Sequence, residues 1–112
     1  MLGRREPSIY GTESMEQIMV CLQRHYPDVR FTYLQSNHEG DLIDWVQKYA
    51  IPNAQCTMHN ELPCAGIVLN AGGYTHTSVA LHDAVVMAQV PIVEVHISDI
   101  HRREPFRQTS LL

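Results

Sequence analysis

At 112 residues, with 45% hydrophobic and 18% charged side chains, the chain has room for one globular core and little to spare. No apolar run approaches the roughly 18 residues a membrane span requires, and Met1–Arg5 leads into polar sequence instead of a signal-peptide core, so a cytoplasmic protein is expected. The net charge of −4 and a pI near 5.9 argue against a nucleic-acid partner, which needs a broad cationic face to neutralise phosphates.

The basic residues are nonetheless uneven. Arg4 and Arg5 stand near one end and Arg102, Arg103 and Arg107 near the other, so folding can gather a local anion site within an acidic protein; scattered solvated charge is the alternative. Cys21, Cys56 and Cys64 make an odd count with no Cys-x-x-Cys pair, which points to reduced, buried thiols. A zinc set of Cys56, His59 and Cys64 fits no strong spacing template and lacks an obvious fourth ligand.

In chain order, Arg4 to Gly11 reads as a loop, because Pro7 restricts Glu6 and Gly11 marks a turn. Ser14-Met15-Glu16-Gln17 matches a capping box, Ile18, Met19, Leu22 and Tyr26 supply a helical stripe, and Pro27 ends it. Val29 to Gln35 alternates as a strand does, ending in the polar run Ser36-Asn37-His38-Glu39-Gly40. Leu42, Ile43, Val46 and Tyr49 predict a second helix closed by Pro52, with Trp45 as a packing residue. Ile51 to Pro63 reads as a surface connection.

Ala65 to Leu69 is an unbroken apolar run of the kind found in strands buried on both faces. The stretch Asn70-Ala71-Gly72-Gly73-Tyr74-Thr75-His76-Thr77-Ser78 follows it as a strand-to-helix loop, in which glycine permits positive φ or close backbone approach while Asn70, Thr75, His76 and Ser78 offer donors and acceptors. An ordinary polar turn is the plainer reading. A helix from about Ser78 to Gln89 turns Ala80, Leu81, Ala84, Val85 and Ala88 to the sheet and leaves Asp83 outside. Pro91 to Ser98 is the last strand, with Glu94, His96 and Ser98 on one face and Val93, Val95 and Ile97 on the other.

Helices and strands that alternate in this way predict an α/β fold with a parallel sheet. Gln35-Ser36-Asn37, Asn70 and His96-Ile97-Ser98 then converge at the carboxyl edge, where open α/β sheets hold ligands. The candidate set is Arg5, Tyr10, Asn70, His76, Glu94, His96, Ser98, Arg103 and Arg107. A histidine transfers protons near neutral pH, and a glutamate two residues away on the same strand face can orient it. A tyrosine acts as a base only when its anion is favoured, as a neighbouring Arg5 would favour Tyr10. The terminal arginines can hold a carboxylate in bidentate fashion. Taken singly, Tyr10 also reads as a packed loop aromatic, His96 as a hydrogen-bonded strand histidine and Asp83 as a solvated charge. A metal on His76, His96, His101 and Glu94 has no supporting ligand spacing.

Leu2-Gly3-Arg4-Arg5-Glu6-Pro7-Ser8-Ile9-Tyr10-Gly11, Gln35 to Gly40, Asn70 to Leu81 and Glu94-Val95-His96-Ile97-Ser98, in that order, closely resemble the type II 3-dehydroquinate dehydratases. The resemblance implies a flavodoxin-like α/β fold with helices on both faces of a parallel sheet, a dodecamer built from trimers, and a shikimate-pathway hydro-lyase that needs no cofactor and no metal. By position, it makes Tyr10 the base, Arg5 the group that holds it as the anion, and His96 the acid. It gives Asn70, His76, Ile97, Ser98 and Arg107 to substrate binding and Glu94 to the support of His96. Arg103 would position the lid near Tyr10, and Asp83 would reach a neighbouring subunit's site. Against that pattern, residues 1–112 read as a single domain shortened at both ends, without the family's first strand and its final strand and helix. Asp99 and Pro105 stand where the family pattern has asparagine and glutamate, and the Ile51 to Pro63 connection is longer. A non-catalytic homologue acting in ligand binding or subunit interaction is the main alternative, ahead of a metal-dependent hydrolase.

Overall fold

A computed structural model describes residues 11–51 and 63–112. The predicted loop up to Tyr10 and most of the Ile51 to Pro63 connection lie outside the described residues. The chain divides into two compact units, Met1–Gln35 and Ser36–Leu112.

In the first unit, helix α1 spans Met15–His25. Its start is closed reciprocally: Gln17 N donates to Ser14 Oγ at 3.3 Å, and Ser14 N donates to Gln17 Oε1 at 2.7 Å. Two of the N–H groups that a helix start leaves orphaned are thereby satisfied. The end is fixed by Tyr26 N on Leu22 O and by Gln23 Nε2, which reaches Val29 O at 3.0 Å. The predicted strand Val29–Gln35 is not realised in a ladder among the described residues, and Val29, Tyr33 and Leu34 are exposed. Alternation marks which side chains share a face, but a strand also needs a partner for its N–H and C=O groups.

The second unit holds helix α2 (Glu39–Ala50), strand β1 (Ile67–Leu69), a 3-10 turn (Gly72–His76), helix α3 (Val79–Val86), strand β2 (Ile92–Glu94) and two further 3-10 turns, Ile100–Arg102 and Pro105–Arg107. β1 and β2 pair in parallel with Ile67 opposite Ile92 and Leu69 opposite Glu94. Val95 N donates to Leu69 O at 2.9 Å and carries the pairing one step past β2. Both strands are shorter than the apolar runs suggest.

The strands alternate in burial. Ile67, Leu69 and Ile92 turn inward, where Leu69 joins Val46 and Ala50 of α2, Ala71, and Leu81 and Ala84 of α3 in one buried cluster. Val85 and Ala88 lie against that cluster as expected, whereas Ala80 is exposed, because only the Leu81–Ala84–Val85 side of so short a helix meets the sheet. On the opposite face Val68 and Val93 remain 73% and 57% exposed. Within this unit, α2 and α3 cover one sheet face. Of the thiols expected to be buried, Cys21 is exposed and Cys64 half-buried.

α3 begins at Ser78, whose buried Oγ accepts from Leu81 N at 2.8 Å. The turn before it depends on Gly72, which holds φ +58° with no atom within 4 Å of a would-be Cβ. Space is therefore not the constraint; backbone conformation is. Gly72→Ala is expected to lower stability by about 1 kcal/mol, the cost of a left-handed L-residue, measured as a shift in the urea midpoint; an unchanged midpoint would show that the turn relaxes without strain.

Candidate active site

The carboxyl ends of β1 and β2 and the loops after them assemble most of the predicted residues. Asn70 follows β1 directly, and its Oδ1 accepts from Gly72 N at 3.1 Å. That bond leaves the amide NH2 as the donor end of the side chain. Six residues on, His76 closes the 3-10 turn with Nδ1 2.7 Å from Thr109 O. A carbonyl only accepts, so Nδ1 carries the proton, and in the neutral ring Nε2 carries the lone pair.

His96 stands just past β2, its ring stacked on that of His76 at 6.4 Å between centroids and 20° between planes. Period two along the chain brings Glu94 to the same face, with Oε1 3.1 Å from His96 Nε2 and both side chains about four-fifths buried (21% and 22% exposed). The contact is close but off-line, an ion-pair approach and not an aligned hydrogen bond, and Nε2 has no hydrogen-bond partner among the described residues. Glu94 itself accepts from Ser110 Oγ at 2.8 and 3.1 Å.

A second group forms on the following turns. Arg103 Nη1 donates to Ser98 Oγ at 3.1 Å, and Gln108 Nε2 donates to Arg103 O at 2.8 Å. Glu104 Oε2 lies 3.4 Å from Arg103 Nε and 3.3 Å from Arg107 Nε. The Glu104 carboxyl is held below the ordinary carboxylate range, first by its own backbone N–H and then, against the opposing effect of desolvation, by the charges of Arg103 and Arg107. The Arg107 guanidinium also sits 5.0 Å from the centre of the Phe106 ring.

The structure thus joins His76 to His96 to Glu94, and Ser98 to Arg103, while Arg107 is tied to Arg103 through Glu104. Asn70 borders the same turn as His76. Ile97 is exposed between His96 and Ser98, and Asp83 is exposed on α3. Tyr10 and Arg5 lie outside the described residues. Sequence reasoning missed Thr109, Ser110 and Glu104. Thr109 acts through its carbonyl, which no side-chain pattern reveals, and Ser110 sits in a polar run without periodicity. Glu104 was legible as an acid between two arginines. No three His, Cys, Asp or Glu side chains converge as a metal-binding group among the described residues, and no described helix is long and apolar enough to cross a membrane.

The family model for dehydroquinase class II matches residues 1–112. A 3-dehydroquinate dehydratase of Exiguobacterium sp. strain AT1b is 46% identical over 113 residues, covering 100% of this chain and 70% of the relative. A protein named 3-dehydroquinate dehydratase 2 from Pseudomonas putida strain KT2440 is 43% identical over 114 residues, covering 100% of this chain and 69% of the relative. The crystal structure of a type II dehydroquinase from Propionibacterium acnes superposes with a TM-score of 0.76 at 31% identity, covering 97% of this chain and 69% of that one. The parallel α/β arrangement and the family match over residues 1–112 give one conclusion: the chain belongs to the class II dehydroquinase family.

Proposed function

We propose that this chain is a 3-dehydroquinate dehydratase, a hydro-lyase that removes water from 3-dehydroquinate to give 3-dehydroshikimate in the shikimate pathway, without a cofactor. The observation that carries the reading is the Glu94–His96 pair beneath His76 at the carboxyl edge of the sheet, in a chain matched by the family from residue 1 to residue 112.

The chemistry follows from what each group can do. Tyr10, held as the phenolate by Arg5, takes the proton from the carbon next to the ketone, and the electron pair moves onto the carbonyl oxygen as an enolate. The enolate then collapses and expels the hydroxyl, which takes a proton from His96 and leaves as water. The carboxylate of Glu94, 3.1 Å from His96 Nε2, orients the ring for this step. With Nε2 turned to Glu94, Nδ1 is the ring position that gives up the proton.

Asn70, His76, Ile97, Ser98 and Arg107 bind the substrate, with Asn70 NH2 and Arg107 as donors to its oxygens. Arg103 positions the lid beside Tyr10, and Asp83 reaches the site of a neighbouring subunit. Residues 1–112 act as one domain of a cytoplasmic homo-oligomer, a dodecamer of trimers.

The test is absorbance at the enone band of 3-dehydroshikimate after 3-dehydroquinate is added to the purified 112-residue chain, with Tyr10→Phe as control. A rise that the control abolishes is expected. No rise, with 3-dehydroquinate still bound, would overturn catalysis by this chain and make it a ligand-binding module.

A further inference from the structure

The last residues of the chain are bonded to His76 and to Glu94, the acid beside His96, by groups that have no part in the reaction written above. His76 Nδ1 donates to Thr109 O at 2.7 Å, Leu111 N donates to Thr75 O at 2.8 Å, and the Leu111 carbonyl accepts from His82 Nδ1. Between those anchors Ser110 turns inward. Its Oγ lies 2.8 Å from Glu94 Oε2 and 3.1 Å from Oε1 and accepts from Leu112 N at 3.0 Å; the Leu112 carbonyl is more distant, at 3.4 Å. A hydroxyl has one proton to give, and the nearest acceptor here is the Glu94 carboxylate.

We infer that Ser110 is a positioning residue for the Glu94–His96 pair, acting on the proton donor through the carboxylate. The inference rests on the functional reading above. Glutamate carries its carboxylate on several rotatable bonds and loses considerable freedom when fixed. The pairing with His96 Nε2 is close but poorly aligned, so it does not by itself hold the carboxylate in one rotamer. Ser110 supplies a second attachment from a different part of the chain. With its hydroxyl present, the carboxylate stays beside the ring. Without it, Glu94 is free to turn to solvent.

Among the described residues, the titratable groups facing His96 are Glu94 from its own strand end and His76 from the 3-10 turn; the tail contributes the uncharged Ser110. A carboxylate that turns away changes the surroundings of His96 Nε2, the ring atom it faces at 3.1 Å. Ser110→Ala is expected to move and broaden the His96 Nε2 resonance as the Glu94 rotamers average. The measurement is a proton–nitrogen NMR spectrum of the His96 ring in the full chain without substrate, at one fixed pH. Ser110→Thr keeps the hydroxyl and is expected to restore the resonance. Turnover of 3-dehydroquinate should fall in kcat by roughly tenfold in Ser110→Ala, with KM within about twofold because Ser110 touches no substrate.

A merely structural serine would leave the folded-state His96 resonance where it was. An unchanged Nε2 resonance in folded Ser110→Ala would overturn the inference. Should that variant not fold, Ser110→Cys, close in shape with a weak donor, is read by the same criterion. The two readings fail separately: a wild-type chain that turns over no 3-dehydroquinate overturns the proposed activity, while the NMR spectrum still decides whether Ser110 holds Glu94 against His96.

Discussion

Replacing His96 with glutamine is expected to lower kcat for 3-dehydroquinate by about 10²–10⁴-fold, the range that a positioned acid–base group contributes. Glutamine keeps a donor of similar reach and the packing under His76, but it cannot release a proton to a departing hydroxyl. KM should therefore move much less than kcat, the pattern of an interaction made only in the transition state. Initial rates at the enone band across a range of substrate concentrations measure both. A kcat within twofold of wild type would remove His96 from the role of acid and point to solvent or another group as the proton source. The same loss should not follow from exchanging His101, which is exposed on the Ile100–Arg102 turn.

Leu81→Ala is expected to destabilise the fold by about 2–5 kcal/mol. Leu81 is 0% exposed and is the largest fully buried side chain of the described residues, set among Val46, Ala50, Leu69, Ala71 and Ala84. Three of those neighbours are alanines, with no longer side chain to swing into the gap, so the cavity stays open and the upper part of the range applies. Against a total stability of roughly 5–15 kcal/mol, that is a large fraction. Val86→Ala, on the same helix but 67% exposed, should change little, within about 0.5 kcal/mol. Urea unfolding of the three proteins compares them directly. Equal midpoints would mean that α3 is not held through Leu81.

Most of the architecture was legible because it rests on local chemistry. Ser14 and Gln17 announce the start of α1, and the spacing of Leu42, Ile43 and Val46 places the inner side of α2. Ser78 starts α3 with its own hydroxyl. The prediction failed where the outcome depends on residues far apart in sequence. Val29–Gln35 has the alternation of a strand, yet alternation cannot say which neighbour will accept its ladder. Ala80 has helical spacing but sits one step beyond the side that α3 buries. The site divides in the same way. Glu94 and His96 share a face by strand periodicity, and Asn70 follows from the end of an apolar run. The link from Ser110 to Glu94 spans 16 residues and reverses direction through two turns, so no local pattern encodes it.

Glu104 bears on how a substrate carboxylate would be received. It lies between Arg103 and Arg107 and within ion-pair distance of both, so an incoming anion meets guanidinium groups that already have a resident counterion. On the proposed reading, binding at Arg107 would be an exchange of one carboxylate for another, and the net gain the difference between two similar pairings. The resident acid also keeps two like charges from driving the turns apart. Such an arrangement would trade affinity for a guanidinium held in place before its ligand arrives, and product would leave by the same exchange run in reverse.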